Sequence, residues 1–361
     1  MQILITYILN YYFLGAFIIV LFSFLASYKL FPILIRLSYE KKLSKIPEER
    51  SSHLYSTPTM GGVGIFFGFT LTFAFIGSIL NKYLQIDTLL DLTASLLILF
   101  FIGIKDDLLV ISPLKKLIAQ FFAAGILILF SDIYITNFYG IFGIHELPYI
   151  VSIIFTFFAF VVVINAYNLI DGIDGLAGAI ALIISIFFGF YFLINRQFTQ
   201  VLISFSLIGP LLAFLKFNVS KTQKIFMGDT GSMVIGFIIM YQSINFLTIN
   251  ETLAIPFPLD NGPIFILAFL SLPLTDTLRV FIIRIKNGHS PFKADRNHIH
   301  HYFLDSGLTH IKATIIITSL SLIVILSAFL LQGVNINLAL FLIIIISSIV
   351  YLPLTLKRRD N

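Results

Sequence analysis

Long apolar runs separated by short polar breaks dominate the chain, and the breaks come at intervals that suit a bilayer better than a soluble core. A helix needs about 20 mostly apolar residues to cross the hydrocarbon. On that criterion the sequence predicts about eleven transmembrane helices, near 13–35, 60–80, 89–104, 114–131, 148–167, 175–194, 199–217, 231–250, 263–285, 313–331 and 338–356. The third is short for a full crossing. The expected fold is therefore all-α, a polytopic integral membrane helical bundle. No Pro/Ser-rich linker or long polar insertion divides the chain, so 1–361 reads as one membrane-embedded domain whose longest polar segments are 38–58 and 286–312. Gly64 and Gly68 in the second span form a small-xxx-small pair, a mark of close helix packing.

Composition and charge add sidedness. The 361 residues are 58% hydrophobic and 11% charged, against roughly 25% charged in soluble domains. Lysine and arginine near span ends are retained in the cytoplasm. With an external N-terminus, that rule places nearly all of them inside, from Arg36 and Lys41 through Lys115, Lys116 and Lys224 to Arg296 and Arg359. Only Lys82 and Arg196 fall outside, and Lys29 sits within the first span. The net charge of +5 then describes a basic inner face that suits anionic lipid headgroups or anionic substrates, and no basic run with interleaved aromatics suggests nucleic acid. Zero cysteines exclude disulfides and thiolate chemistry. The first apolar stretch lacks a basic n-region and a small-residue cleavage site, and reads as a retained helix. The external loops, 132–147 among them, look chemically plain.

Five polar motifs fall at the inner ends of these spans, and acids at membrane depth are costly enough to suggest a site. Asp106-Asp107 ends the third span, with Lys115 and Lys116 opening the fourth; a solvated loop competes with a cation-relieved acidic pair. Asn168, Asp171 and Asp174 are spaced to share a helix face, and Gly172 and Gly175 permit close approach or a tight turn. The segment lacks the other ligand positions of a calcium loop. Gly228-Asp229-Thr230-Gly231-Ser232 precedes an apolar helix, where Asp229 or Thr230 could simply cap, or where a helix N-terminus attracts phosphate and a carboxylate holds a hard cation. Oxygen donors without cysteine favour Mg²⁺ or Mn²⁺ over zinc. His298-Ile299-His300-His301 lies in a polar loop and, with Lys293 and Arg296, fits a clamp on a diphosphate better than a zinc site. Asp276 pairs with Arg279 three residues on, a structural role.

Taken in order, with Thr57-Pro58-Thr59-Met60-Gly61-Gly62 and Phe226-Met227-Gly228-Asp229, these motifs make nearly the whole chain resemble the polyprenyl-phosphate N-acetylhexosamine-1-phosphate transferases, glycosyltransferase family 4. The H-I-H-H form resembles the branch that starts O-antigen, enterobacterial common antigen or teichoic-acid linkage units. The T-P-T-M-G-G stretch is shared with the peptidoglycan-precursor branch. The resemblance implies transfer of a sugar 1-phosphate from a UDP-N-acetylhexosamine, with N-acetylglucosamine favoured, to undecaprenyl phosphate, releasing UMP at the cytoplasmic face of the bacterial inner membrane. It implies Asn168 and Asp229 as Mg²⁺ ligands, with Mn²⁺ as a substitute, Lys116 on phosphate and Asp174 near the uridine. It implies catalytic roles for Asp106, Asp107 and Asp171, leaving open which is base or nucleophile. Arg296, His298, His300 and His301 remain the substrate-binding candidates. The oligomeric state is open, a homodimer included.

Readings from other classes fit less well. A cation-coupled transporter places its acids near the bilayer midplane on broken helices, and an intramembrane aspartyl protease needs a G-x-G-D signature that Phe226-Met227 before Gly228-Asp229 does not provide. The charge asymmetry itself is testable. Alkaline phosphatase fused after Arg359 should be inactive in cells, since an odd span count returns the C-terminus to the cytoplasm; strong activity there would remove one span from the bundle.

Overall fold

The computed structural model describes residues 12–41, 43–45, 57–109, 111–252, 254–290 and 297–351. The described chain is almost entirely helical: α1 (Tyr12–Glu40), α2 (Gly61–Ile79), α3 (Ile86–Leu109), α4 (Pro113–Phe130), α5 (Tyr149–Ile170), α6 (Leu176–Ile194), α7 (Phe198–Asn218), α8 (Gly228–Thr252), α9 (Gly262–Phe269), α10 (Ser271–Lys286), α11 (Ile299–Asp305), α12 (His310–Leu330) and α13 (Ile336–Tyr351). Among the described residues, nine helices are long and apolar enough to cross a membrane. The pair α9 and α10, bent by 64° at Leu270, supplies a tenth apolar segment, and the shorter α13 an eleventh. These correspond in order to the eleven expected spans, and the chain is a polytopic helical membrane protein.

Three local differences from the sequence reading have physical causes. The third span is not short: α3 runs 24 residues and carries Asp106-Asp107 inside its last turns, because both carboxylates find donors there. The expected plain loop at 132–147 contains an antiparallel hairpin, β1 (Asn137–Ile141) with β2 (Ile144–Glu146), docked by the Tyr139 hydroxyl donating to the Leu247 carbonyl at 2.5 Å. The histidine motif is not in an exposed loop. His298, His300 and His301 are buried at the start of α11.

Hydropathy alone does not separate central from lipid-facing helices, but burial does. The helices α7 and α8 are enclosed, whereas α1, α3, α4 and α5 turn most of their apolar surface outward, as a bilayer permits. Lipid supplies no hydrophobic drive between helices, so the centre relies on close packing and interhelical hydrogen bonds. Gln200 Nε2 donates to the Tyr241 hydroxyl at 3.1 Å and to Asn245 Oδ1 at 2.9 Å, and Gln242 Nε2 to Ser204 Oγ at 2.7 Å. The Gly64/Gly68 pair works as expected, admitting Phe31 and Ser27 of α1, with the Ser27 hydroxyl donating to the Gly64 carbonyl at 2.9 Å.

At the end of the bundle that gathers the polar motifs, backbone meets backbone. Phe226 N–H donates to the Pro58 carbonyl at 2.7 Å, Gly61 N–H to the Phe226 carbonyl at 2.8 Å and Gly62 N–H to the Met227 carbonyl at 2.7 Å. The T-P-T-M-G-G stretch therefore forms the floor under the segment that launches α8. A Cβ on Gly62 would lie 2.1 Å from the Gly231 nitrogen, where only backbone could give way. Gly62→Ala should accordingly lower stability by about 1–3 kcal/mol, the usual cost of overpacking. A thermal-aggregation curve of detergent-purified protein would show this; an unchanged midpoint would mean that α2 and α8 do not approach so closely.

Candidate active site at one end of the bundle

The first amides of α8 have no acceptor within their own helix. Asp107, from the last turns of α3, supplies one: its Oδ1 accepts from Asp229 N–H at 2.9 Å, and its Oδ2 from Thr230 N–H at 3.1 Å and the Thr230 hydroxyl at 2.7 Å. The cap thus comes from another helix, not from Asp229 or Thr230. Gly228 makes room for it, with φ of +72° and a site where a Cβ would stand 2.5 Å from Asp107 Oδ2. Because Asp107 serves the amides, the Asp229 side chain is turned to other work.

That work centres on Lys116. Its ammonium lies 2.6 Å from Asp106 Oδ2 and 2.5 Å from Asp229 Oδ2, joining the end of α3, the start of α4 and the start of α8. Asp106 Oδ1 accepts from Ile111 N–H at 2.7 Å. Two carboxylates share one ammonium, so the cluster keeps a net negative charge that a further cation would relieve. Lys115 is exposed.

The remaining sequence candidates surround this cluster. Asn168, in the last turn of α5, donates from Nδ2 to Ser232 Oγ in the first turn of α8 at 2.8 Å, which turns its amide oxygen away from that bond. Asp171 caps the C-terminus of α5, its N–H donating to the Asn168 carbonyl at 3.3 Å. Asp174 accepts from Lys224 Nζ at 2.6 Å, and His310 Nδ1 lies 3.6 Å from the same oxygen. The turn between α5 and α6 is fixed by Gly175 N–H donating to Asn218 Oδ1 at 2.5 Å and by the Thr314 hydroxyl donating to the Asp174 carbonyl at 2.6 Å.

The histidine motif reaches the same turn from the other side. The His300 ring packs so closely on Gly172 that a Cβ there would fall 2.1 Å from its Nε2. Burial, then the neighbouring His301, pushes the His300 imidazole well below its ordinary value, so it acts as a neutral group. His298 and His300 stack with centroids 5.7 Å apart and planes within 3°. Asp276 does pair with Arg279, at 3.1 Å, but it also meets His298 Nδ1 at 2.8 Å and accepts from Ile299 N–H at 2.8 Å. Sequence spacing finds the first contact, three residues away, and gives no sign of the others. Arg296 and Lys293 lie outside the described residues.

The donor chemistry fits a hard divalent cation. Oxygen atoms of Asp106 and Asp229 already converge on one positive charge, and Asn168 stands beside the first turn of α8. Among the described residues, no group of three or more His, Cys, Asp or Glu is arranged to hold a metal by itself. The two carboxylates that meet at Lys116 are of the oxygen-donor kind through which Mg²⁺ is commonly bound, with substrate phosphates and water completing its shell. Sequence reasoning missed Lys224, His310, Asn218 and Ser232 as supports of the site. Ser232 closes the G-D-T-G-S motif, and Lys224 is a lysine three residues after Lys221 just before the F-M-G-D stretch; Asn218 and His310 carried no such signal.

Fold and site together define a membrane-embedded helical protein that gathers acids, a lysine and histidines at one end, a setting for phosphorylated ligands. The glycosyl transferase family 4 model matches residues 89–247. An undecaprenyl-phosphate alpha-N-acetylglucosaminyl 1-phosphate transferase of Pasteurella multocida (strain Pm70) is 33% identical over 85% of this chain and 80% of its own length. Proteins of the same name from Haemophilus influenzae and Escherichia coli (strain K12) are 31% and 28% identical, covering 76% and 75% of this chain and 75% and 72% of their own. The chain belongs to glycosyl transferase family 4.

The two acids at the start of α8 should separate in experiment. Asp107→Ala removes a cap worth about 0.5–2 kcal/mol and should lower the melting midpoint. Asp229→Ala leaves the Asp107 acceptors of the α8 amides in place and should leave the midpoint nearly unchanged while abolishing turnover. Equal loss of stability in both variants would contradict the division between cap and ligand.

Proposed function

We propose that this protein transfers N-acetylglucosamine 1-phosphate from its UDP-sugar to undecaprenyl phosphate, releasing UMP, at the cytoplasmic face of the bacterial inner membrane. The observation that carries this reading is the convergence of Asp106 and Asp229 on Lys116 at a helix end, in a chain whose relatives bear the name of that reaction. Two phosphorylated substrates repel each other, so their meeting requires positive charge and oriented donors. A lipid substrate further requires a site reachable from the bilayer edge, as the ends of membrane helices are.

In this reading a phosphate oxygen of the lipid attacks the β-phosphorus of the donor, the new P–O bond forms, and the bond to the bridging oxygen breaks so that UMP leaves with the electron pair. The lipid monoester has a second pKa of about 6 and is largely dianionic near neutral pH, so direct attack needs little help from a base. Lys116 offers its ammonium to phosphate. Asp106 orients that ammonium, Asp107 holds the α8 terminus in place, and Asp171 lines the turn beside them. Asn168 and Asp229 would hold Mg²⁺, or Mn²⁺ in its place, which when bound neutralises diphosphate charge as a Lewis acid. Asp174, backed by Lys224, fits the uridine side, and the histidine motif with Arg296 fits the donor.

Purified protein with millimolar Mg²⁺ should release UMP from UDP-N-acetylglucosamine only when a polyprenyl phosphate is added, and faster than from other UDP-sugars. UMP release independent of lipid would overturn the acceptor assignment. A stronger response to another UDP-sugar would overturn the sugar.

A further inference from the structure

Asp276 is 1% exposed and takes no part in the chemistry proposed above, yet it organises the histidine motif. Its Oδ1 receives Ile299 N–H and Arg279 Nη2, and its Oδ2 faces His298 Nδ1 at 2.8 Å. The same arginine donates to the Asn297 carbonyl and lies over the Tyr302 ring at 5.1 Å, so residues on both sides of His298 are tied to α10. A carboxylate paired with arginine is an acceptor only, so the proton in the bond to His298 belongs to Nδ1. In a neutral imidazole the other nitrogen is then bare. The His298 ring stacks on His300, which abuts Gly172 beside Asp171 and so brings the ring against the turn between α5 and α6.

We propose that Asp276 is a positioning residue that locks His298 in its Nδ1–H tautomer and presents Nε2 to the site as an acceptor. The matching group on the substrate is a hydroxyl or amide N–H of the donor sugar. A phosphate oxygen does not match, because it too is an acceptor. For His298 this replaces the diphosphate clamp that the sequence suggests. The inference rests on the transferase reading for its substrate but not for its tautomer.

Two measurements test it. Protein labelled with ¹⁵N-histidine, in phosphatidylethanolamine and phosphatidylglycerol nanodiscs, is compared with its His298→Gln variant. The signals lost in the variant should report a protonated Nδ1 and a bare Nε2; a proton on Nε2, or on both nitrogens, would overturn the proposal. In Asp276→Asn the amide N–H faces Nδ1 and should move the proton to Nε2. KM for the UDP-sugar should rise about tenfold, the scale of one lost hydrogen bond, with kcat changed by less than about threefold. Asp276→Glu should restore KM. An Asp276→Asn enzyme with wild-type KM, or with only kcat reduced, would count against the positioning role, and if that variant fails to fold the wild-type nitrogen signals still decide. Wild type that releases no UMP from any UDP-sugar would sink the functional reading instead, leaving the tautomer result to stand by itself.

Discussion

Three carboxylates cannot gather at the edge of a hydrocarbon phase unless each is given its own donors, and that constraint shapes this end of the molecule. Asp107 is satisfied by two amides and a hydroxyl of the α8 start, Asp106 by an amide and Lys116, and Asp229 by Lys116. The donors come from α8, α4 and the link between α3 and α4, so satisfying the charges also fixes where these three helices meet. Only three residues separate Leu109 from Pro113, which holds α3 and α4 antiparallel with Lys116 one turn into the second. Close approach is the remaining requirement. Gly103 meets it where α3 passes the Thr230 backbone, since a Cβ there would lie 2.5 Å from the Thr230 Cα.

Much of this was legible in the sequence because the signals are local. Apolar runs of bilayer length mark the helices, and the D-D, D-G-x-D-G, G-D and H-x-H-H motifs mark the ends that meet. Contacts between distant residues left no such trace. Asp107 and Thr230 are 123 residues apart, and a capping aspartate on another helix looks in sequence like a second catalytic acid. Asp276 and His298 are 22 apart, so the local partner Arg279 is visible while the wider role is not. The histidines read as exposed because their neighbours are polar, yet a carboxylate and an arginine from α10 draw them inside. Nor could hydropathy rank α7 and α8 as central, since a helix apolar on every side suits lipid as well as protein.

The position of the site along the helices also bears on what kind of protein this is. A coupled transporter gathers its ion ligands at breaks in helices near the midplane, where unwound carbonyls and half-helix ends point inward. The 64° break between α9 and α10 falls at Phe269, Leu270 and Ser271, which bring no charged side chain to it. Apart from the Asp276–Arg279 pair within α10, the polar groups of the site instead sit where helices end, at the C-termini of α3 and α5 and the N-termini of α4, α8 and α12. A helix N-terminus favours an anion without bringing a mobile charge of its own. At α8 that favour is already spent on Asp107, which leaves Lys116 as the formal positive charge between Asp106 and Asp229. A phosphate arriving there must therefore compete with two carboxylates for one ammonium, and in the proposed reaction a divalent cation would resolve that competition by pairing with carboxylate and freeing the ammonium for phosphate.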